Sequence, residues 1–266
     1  MIFDPDAVVG MDDTPEIRRD ATDRPWSHGN FFDKGFYEAR LVTVSGHALA
    51  TSVKELHQMR DDLVHLFRTG GTQWVSFTQG GDNGVRHIRA ALGGRISWKQ
   101  ITDTYAQWKF DLYAADPRMY SNLQRGQLHP AEAGGVGMLY PMEPVISYNR
   151  DSRTIPNNLP MKNVGNEEAW PVFKIYGPFS KGFSIKAGSK TLTYTGACSS
   201  KVPVIIDNFA GTASYNGVDR SYLLIKRDWM SIPAYGSLSM TFLPNIATEV
   251  NEENTYVDVE WRSTWI

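Results

Sequence analysis

The chain has 266 residues and a mass of 29.9 kDa, long for one compact core, so two domains are expected. With 41% hydrophobic and 21% charged residues it has the composition of a packed protein, and a formal net charge of -2 disfavours an electrostatic grip on nucleic acid or an anionic membrane. A single cysteine, Cys198, excludes an internal disulfide and a Cys-rich zinc site, and a reducing site of synthesis fits. The opening MIFDPDAVVGMDD carries acids where a secretory leader needs positive charge, and no apolar run approaches the ~18 residues of a membrane span.

Residues 1–35 are rich in Pro, Gly, Asp and aromatics without sustained periodicity, which predicts an extended arm that gains order by contact. FYEARLVTV at 36–44 predicts a strand ending at Gly46. Ser52 and Glu55 have capping-box spacing, and Val53, Leu56, Leu63 and Phe67 fall on one face of a helix that Gly70-Gly71 ends, with Met59 and Leu66 beside it. WVSF at 74–77, VRHIRA at 85–90, RISW at 95–98 and YAQWKFDLY at 105–113 predict antiparallel strands. In the last, Ala106, Trp108, Phe110 and Leu112 share the dry face, opposite Tyr105, Gln107, Lys109, Asp111 and Tyr113.

After ADPRMY at 115–120 the pattern breaks, and an irregular stretch containing AGGVGM extends to about residue 160. Strand signals resume at 172–177, 183–187, 191–196, 202–207, 222–226, 237–242 and 256–265, with an Asn216-Gly217 hairpin turn, which predicts a β-sandwich. The expected organisation is an arm and first domain over 1–125, an irregular connector over 126–160 and a sandwich over 161–266.

No constellation carries a recognisable chemistry. The six histidines (28, 47, 57, 65, 87 and 129) are scattered. His57 and His65 lie more than two helical turns apart, too far to chelate one ion unaided. Asp12-Asp13, Asp61-Asp62 and Glu167-Glu168 read as solvated acid pairs, Cys198 as an inert thiol, and AGGVGM as a connector without a dinucleotide fingerprint. Trp108 and Trp229 suit packing, whereas Trp26 and Trp265 near the termini suit contacts between subunits. We expect no catalytic, cofactor or metal residues.

The ordered segments RPWSHGNFF at 24–32, RLVTVSG at 40–46, AADPRMY at 114–120, NVGNEEAWPVFKIYGP at 163–178, VIID at 204–207, Asn216-Gly217 and RDWMSIPAYGSLSMTF at 227–242 resemble the distal tail proteins, or minor tail proteins, of long-tailed phages with noncontractile tails. The resemblance spans nearly the whole chain, with one departure at AYG, 234–236, where the family has a shorter Pro-Gly turn. It implies a mainly β fold with one helix: a tail-tube-like domain followed by a galectin-like β-sandwich. It further implies a virion structural protein that forms a homohexameric ring at the tail tip and is no enzyme. Its partners would be the tail tube protein, the tail-tip hub or tail-associated protein, and the tape measure protein, with synthesis in the host cytoplasm. A carbohydrate-binding module for host wall polysaccharide is the alternative, favoured by a groove that brings Trp or Tyr together with several polar side chains.

Overall fold

The computed structural model describes residues 1–78, 84–130, 158–245 and 254–266. It divides into two compact units, Met1–Tyr120 and Ser121–Trp265, and is mainly β, with one α-helix among the described residues.

The first unit runs through β1 (Ile2–Val9), β2 (Ile17–Arg18), β3 (Thr22–Asp23), β4 (Asn30–Phe31), β5 (Phe36–Tyr37), β6 (Arg40–Leu49), α1 (Val53–Leu66), β7 (Gln73–Thr78), β8 (Val85–Leu92), β9 (Ser97–Thr102), β10 (Tyr105–Ala114) and β11 (Met119–Tyr120). Its main sheet is ordered β1-β6-β10-β8-β11, with β7 on β8 and β9 on β10. The axis is the β6–β10 ladder, unbroken from Leu49↔Tyr105 to Arg40↔Ala114. Alternation along it sends Val42, Val44, Ala48, Ala106, Trp108 and Leu112 into one core with Leu56 and Leu63 of α1, as the β10 pattern predicts. Each of the valines and leucines among them, once buried, contributes roughly 1.5–3 kcal/mol. Ser52 caps the helix by accepting from the Glu55 N–H at 3.3 Å. Glu55, however, reaches one residue further back than a capping box requires, accepting from the N–H and hydroxyl of Thr51 at 2.7 and 2.6 Å.

Three expectations for this half need correction. Residues 1–35 are not one arm, because β1 is laid along β6 from Ile2↔His47 to Val9↔Thr43. Gly46 does not end its strand: a Cβ there would meet the Ile2 carbonyl at 2.4 Å and the Trp108 ring at 2.5 Å, so the glycine admits a close approach inside the sheet. The strand placed at 95–98 is β9 at 97–102. Its residues 99–102 are exposed on both faces, so apolar alternation cannot mark them, and the ladder to β10 holds them.

The second unit contains β12 (Gln124–Leu128), β13 (Leu159–Lys162), β14 (Val172–Tyr176), β15 (Phe183–Ala187), β16 (Lys190–Tyr194), β17 (Val204–Asp207), β18 (Thr212–Tyr215), β19 (Val218–Asp219), β20 (Leu224–Arg227), β21 (Ser237–Pro244) and β22 (Tyr256–Trp261). Two sheets, β12-β22-β14-β17-β18-β19 and β13-β21-β15-β16-β20, share one core that includes Phe173, Ile175, Phe183, Ile185, Phe242 and Val259. This is the sandwich that the strand density predicts. Asn216 (φ 51) and Gly217 (φ 75) both take the left-handed backbone that a tight β18–β19 turn requires. Residues 124–128, split in the sequence reading between first domain and connector, pair along β22 from Gln124↔Trp261 to Leu128↔Val257. Most of the expected connector, including AGGVGM, lies outside the described residues.

Candidate functional site

The most prominent exposed feature of the first unit is the segment 17–37. Its ladder runs Ile17↔Tyr37, Arg18↔Phe36, Thr22↔Phe31 and Asp23↔Asn30, and the Arg24 N–H donates to the Gly29 carbonyl across the tip at 3.1 Å. This hairpin has no dry face. Trp26 is 96% and Phe32 85% exposed, and Ile17, Phe31, Phe36 and Tyr37 are exposed as well. Cations shield some of the rings, with Arg19 over Phe32, Arg24 over Phe31 and Lys34 over Phe36 at 5.3, 5.6 and 5.8 Å. Exposed aromatics concentrated on one ribbon mark an interaction surface, because a monomer gains nothing from leaving them in water.

The root of the hairpin is fixed by Arg40, which is 1% exposed. Its Nη1 donates to the carbonyls of Gly10, Met11 and Asp13 at 3.0, 3.1 and 2.6 Å, and its Nε donates to that of Pro117 at 2.9 Å. Burial lowers the guanidinium pKa, against the opposing fields of Asp13 and Asp12. The clamp joins the chain entering the hairpin to the end of the unit. Arg40 has the inward parity of Val42 and Val44, which was the sequence signal for it. On the same unit His57, Arg60 and Val64 of α1 face Ile96, Trp98 and Gln100 across a cleft of about 340 Å³.

The sequence-predicted candidates do not converge. His57 lines that cleft and His65 does not; His87 Nδ1 lies 2.8 Å from Ser76 Oγ; His28 is exposed near the hairpin tip; His129 belongs to the second unit. Asp12, Asp13, Asp61 and Asp62 are exposed; Asp62 accepts from Gln58, and the Asp13 backbone serves Arg40. No three His, Cys, Asp or Glu among the described residues are placed to hold a metal. Cys198 is buried and donates to the Ile175 carbonyl at 3.1 Å; burial pushes its thiol up to about 11. Trp108 is core, Trp229 packs against Gly211, and Trp26 is the outermost residue of the hairpin.

The NVGNEEAW segment has a structural role that its residue types explain. Asn163 is fully buried; its Nδ2 donates to the Glu167 carbonyl at 2.7 Å and the Pro233 carbonyl at 3.2 Å, while its Oδ1 accepts from Gly165 and Thr264 N–H at 2.9 and 3.2 Å. Gly165 lies so close to Thr264 that a Cβ would fall 1.8 Å from its carbonyl oxygen. The Tyr235 N–H donates to the Gly165 carbonyl, and Tyr235 itself has φ 51, the backbone for which a glycine would be suited. One brace thus joins residues 163–167, 233–235 and 264 of the sandwich.

Fold and surface together define a class: a mainly β protein of two units with an exposed aromatic hairpin on the first. No family model matches the sequence, and no curated protein does. Among solved structures, the chain is similar to the Dit protein of phage SPP1, described as a paradigm of the hub adsorption apparatus in phages infecting Gram-positive bacteria. That likeness has a TM-score of 0.66 at 13% identity and covers 99% of this chain and 94% of that one. Chains of the phage P2 baseplate in its activated conformation, with Ca and with Sr, match at TM-scores of 0.49 and 0.48, each at 10% identity, over 95% and 94% of this chain and 90% and 89% of theirs. The chain therefore has a Dit-like fold from end to end.

Proposed function

We propose that this chain is a virion structural protein, a phage distal tail protein whose copies form a hexameric ring joining the tail tube to the tail-tip hub. The observation that carries this reading is the end-to-end fold likeness to SPP1 Dit, with both units included. Two features of the first unit support it. Among the described strands β1 pairs only with β6, β7 only with β8 and β9 only with β10, so the sheet leaves open edges on which a neighbouring copy can pair. The aromatic hairpin supplies the apolar contact that such an interface needs at its centre. The first unit closes the ring and the second, galectin-like in the proposed reading, faces outward. The tube protein, the hub or tail-associated protein and the tape measure protein are the neighbours. The protein is made in the host cytoplasm and resides at the tail tip, with a scaffolding and not an enzymatic role.

Native mass measurement and cryo-EM of isolated tail tips test the stoichiometry: six copies are expected, and another number refutes the ring proposed. Replacing Trp26 and Phe32 with serine leaves the fold intact, since both are exposed. Losing a hot-spot aromatic costs about 2 kcal/mol or more per interface, roughly 30-fold in association. Undiminished assembly of that double variant removes the hairpin from the interface.

A further inference from the structure

The water-facing side of the sheet that contains β12, β22 and β14 is chemically unlike an ordinary solvated strand face. Register places three rows across it. Arg125 lies opposite Glu260; Gln127 and Lys174 flank Asp258; and His129, two residues past Gln127, comes level with the Tyr256–Tyr176 pair. The alternate residues Leu128, Val257, Val259, Phe173 and Ile175 fill the core, so none of the outward set is needed to close the sandwich. The rings of Tyr176 and Tyr256 are stacked with centroids 4.7 Å apart, and the His129 ring stands 6.2 Å from Tyr256 on its strand. Beside them Gln127 Nε2 donates to Asp258 Oδ1 at 3.0 Å, and Gln127 Oε1 lies 3.4 Å from His129 Nε2.

We propose that this face, centred on Tyr176, Tyr256, His129, Gln127 and Asp258, binds a neutral hexopyranose unit of a polysaccharide. A pyranose has an apolar C–H face that packs on an aromatic ring, and a rim of vicinal hydroxyls, each both donor and acceptor. The outer surface of the Tyr176–Tyr256 stack and the imidazole supply the first kind of contact. The amide and carboxylate, held by their mutual hydrogen bond, supply planar donors and acceptors already oriented before a sugar arrives. Charge decides which sugars fit. The Arg125 and Lys174 cations are balanced by Glu260 and Asp258, with Arg125 Nε 3.1 Å and Lys174 Nζ 2.8 Å from the Glu260 carboxylate, so the face has no excess of either sign to select a phosphate or uronate. Burial, with Asp258 and Tyr176 nearby, pushes the Tyr256 hydroxyl up, which keeps it a neutral donor. The site does not depend on ring formation.

The test is titration of the full chain with cellobiose, lactose and chitobiose, with glucuronate and a glycerol phosphate polymer as anionic controls, followed by saturation-transfer NMR and calorimetry. Saturable binding of at least one neutral disaccharide, weakened at least tenfold by Tyr176→Ala and by Asp258→Asn but unchanged by Trp26→Ser, supports the site. Thermal unfolding of each variant is measured alongside, and Tyr176→Phe, which keeps the ring, should retain binding if the alanine variant fails to fold. No saturable binding at millimolar sugar overturns the proposal. So does binding confined to the anionic probes, or binding that survives both substitutions. Loss of tail-protein assembly on Asp258→Asn without any sugar binding would mark the face as a protein interface and would overturn it too.

Discussion

Replacing Arg40 with methionine should loosen the hairpin root and destabilise the first unit, although the substitution removes a buried charge and keeps an unbranched side chain. The guanidinium makes four hydrogen bonds to backbone carbonyls, at 2.6 to 3.1 Å, and a bond from a charged donor contributes roughly 1.5–3 kcal/mol. Against this gross contribution stands the desolvation of the guanidinium, several kcal/mol, including Nη2, which is buried without a hydrogen-bond partner. Methionine escapes that penalty but leaves the carbonyls of Gly10, Met11, Asp13 and Pro117 to find water. The balance is a loss of about 3 kcal/mol, which at a urea dependence of roughly 2 kcal/mol per molar lowers the midpoint by about 1.5 M. Arg40→Lys keeps the charge but loses the fork and should fall between. Urea unfolding read by tryptophan fluorescence gives the midpoint, and limited proteolysis within residues 14–38 reports the hairpin root. A midpoint within about 0.3 M of wild type, with an unaltered cleavage pattern, would refute the clamp.

Gly165→Ala drives a methyl into the Thr264 backbone and should cost about 3 kcal/mol or more, seen by calorimetry of the whole chain; a loss below about 1 kcal/mol means that the contact relaxes freely. Tyr235→Gly removes a left-handed non-glycine residue at an exposed site and should be neutral or stabilising by about 0.5 kcal/mol, so a clear loss would show that the tyrosine ring packs on something. Cys198, its thiol raised to about 11 by burial, should resist a disulfide reagent at pH 8 until the chain unfolds, and rapid native labelling would contradict its burial. Glu260 is held below the ordinary glutamate range by the hydrogen bond from Lys174, with burial opposing and Arg125 assisting. A depressed carboxylate stabilises fully above its unfolded pKa and loses that contribution as pH falls through the folded value, so Lys174→Met should flatten the acid limb of the stability curve; an unchanged limb would dismiss the pair.

What the sequence revealed depended on how strongly each residue's surroundings differ from one face to the other. β10 was legible because Ala106, Trp108, Phe110 and Leu112 alternate with polar neighbours, and the Asn216-Gly217 turn because only such residues accept its backbone. β12 reads Gln-Arg-Gly-Gln-Leu and buries only Leu128, so its pairing with residues more than a hundred positions away left no local trace. Gly46 was mistaken for a terminator because its requirement, the Trp108 ring and Ile2 carbonyl against its α-carbon, is tertiary. Of the candidate surfaces, the aromatic arm was visible as composition. The polar-aromatic face was not, since Gln127, Tyr176 and Asp258 belong to three separate strands and only register brings them level.

The placement of β12 alters what may be done to the chain. Leu128 and Leu159 belong to the same unit, and the Leu159 side chain lies within 2.8 Å of where a Cβ on Gly126 would stand. The chain on both sides of the stretch between these residues therefore belongs to one sandwich, at neighbouring points, and the boundary between the two units lies before β12. Doubling the length of a loop costs only about 0.6 kcal/mol in closure entropy. A folded module whose termini lie close together, spliced between residues 130 and 158, should therefore leave the melting of the first unit unchanged, which makes this a practical place to display a foreign domain.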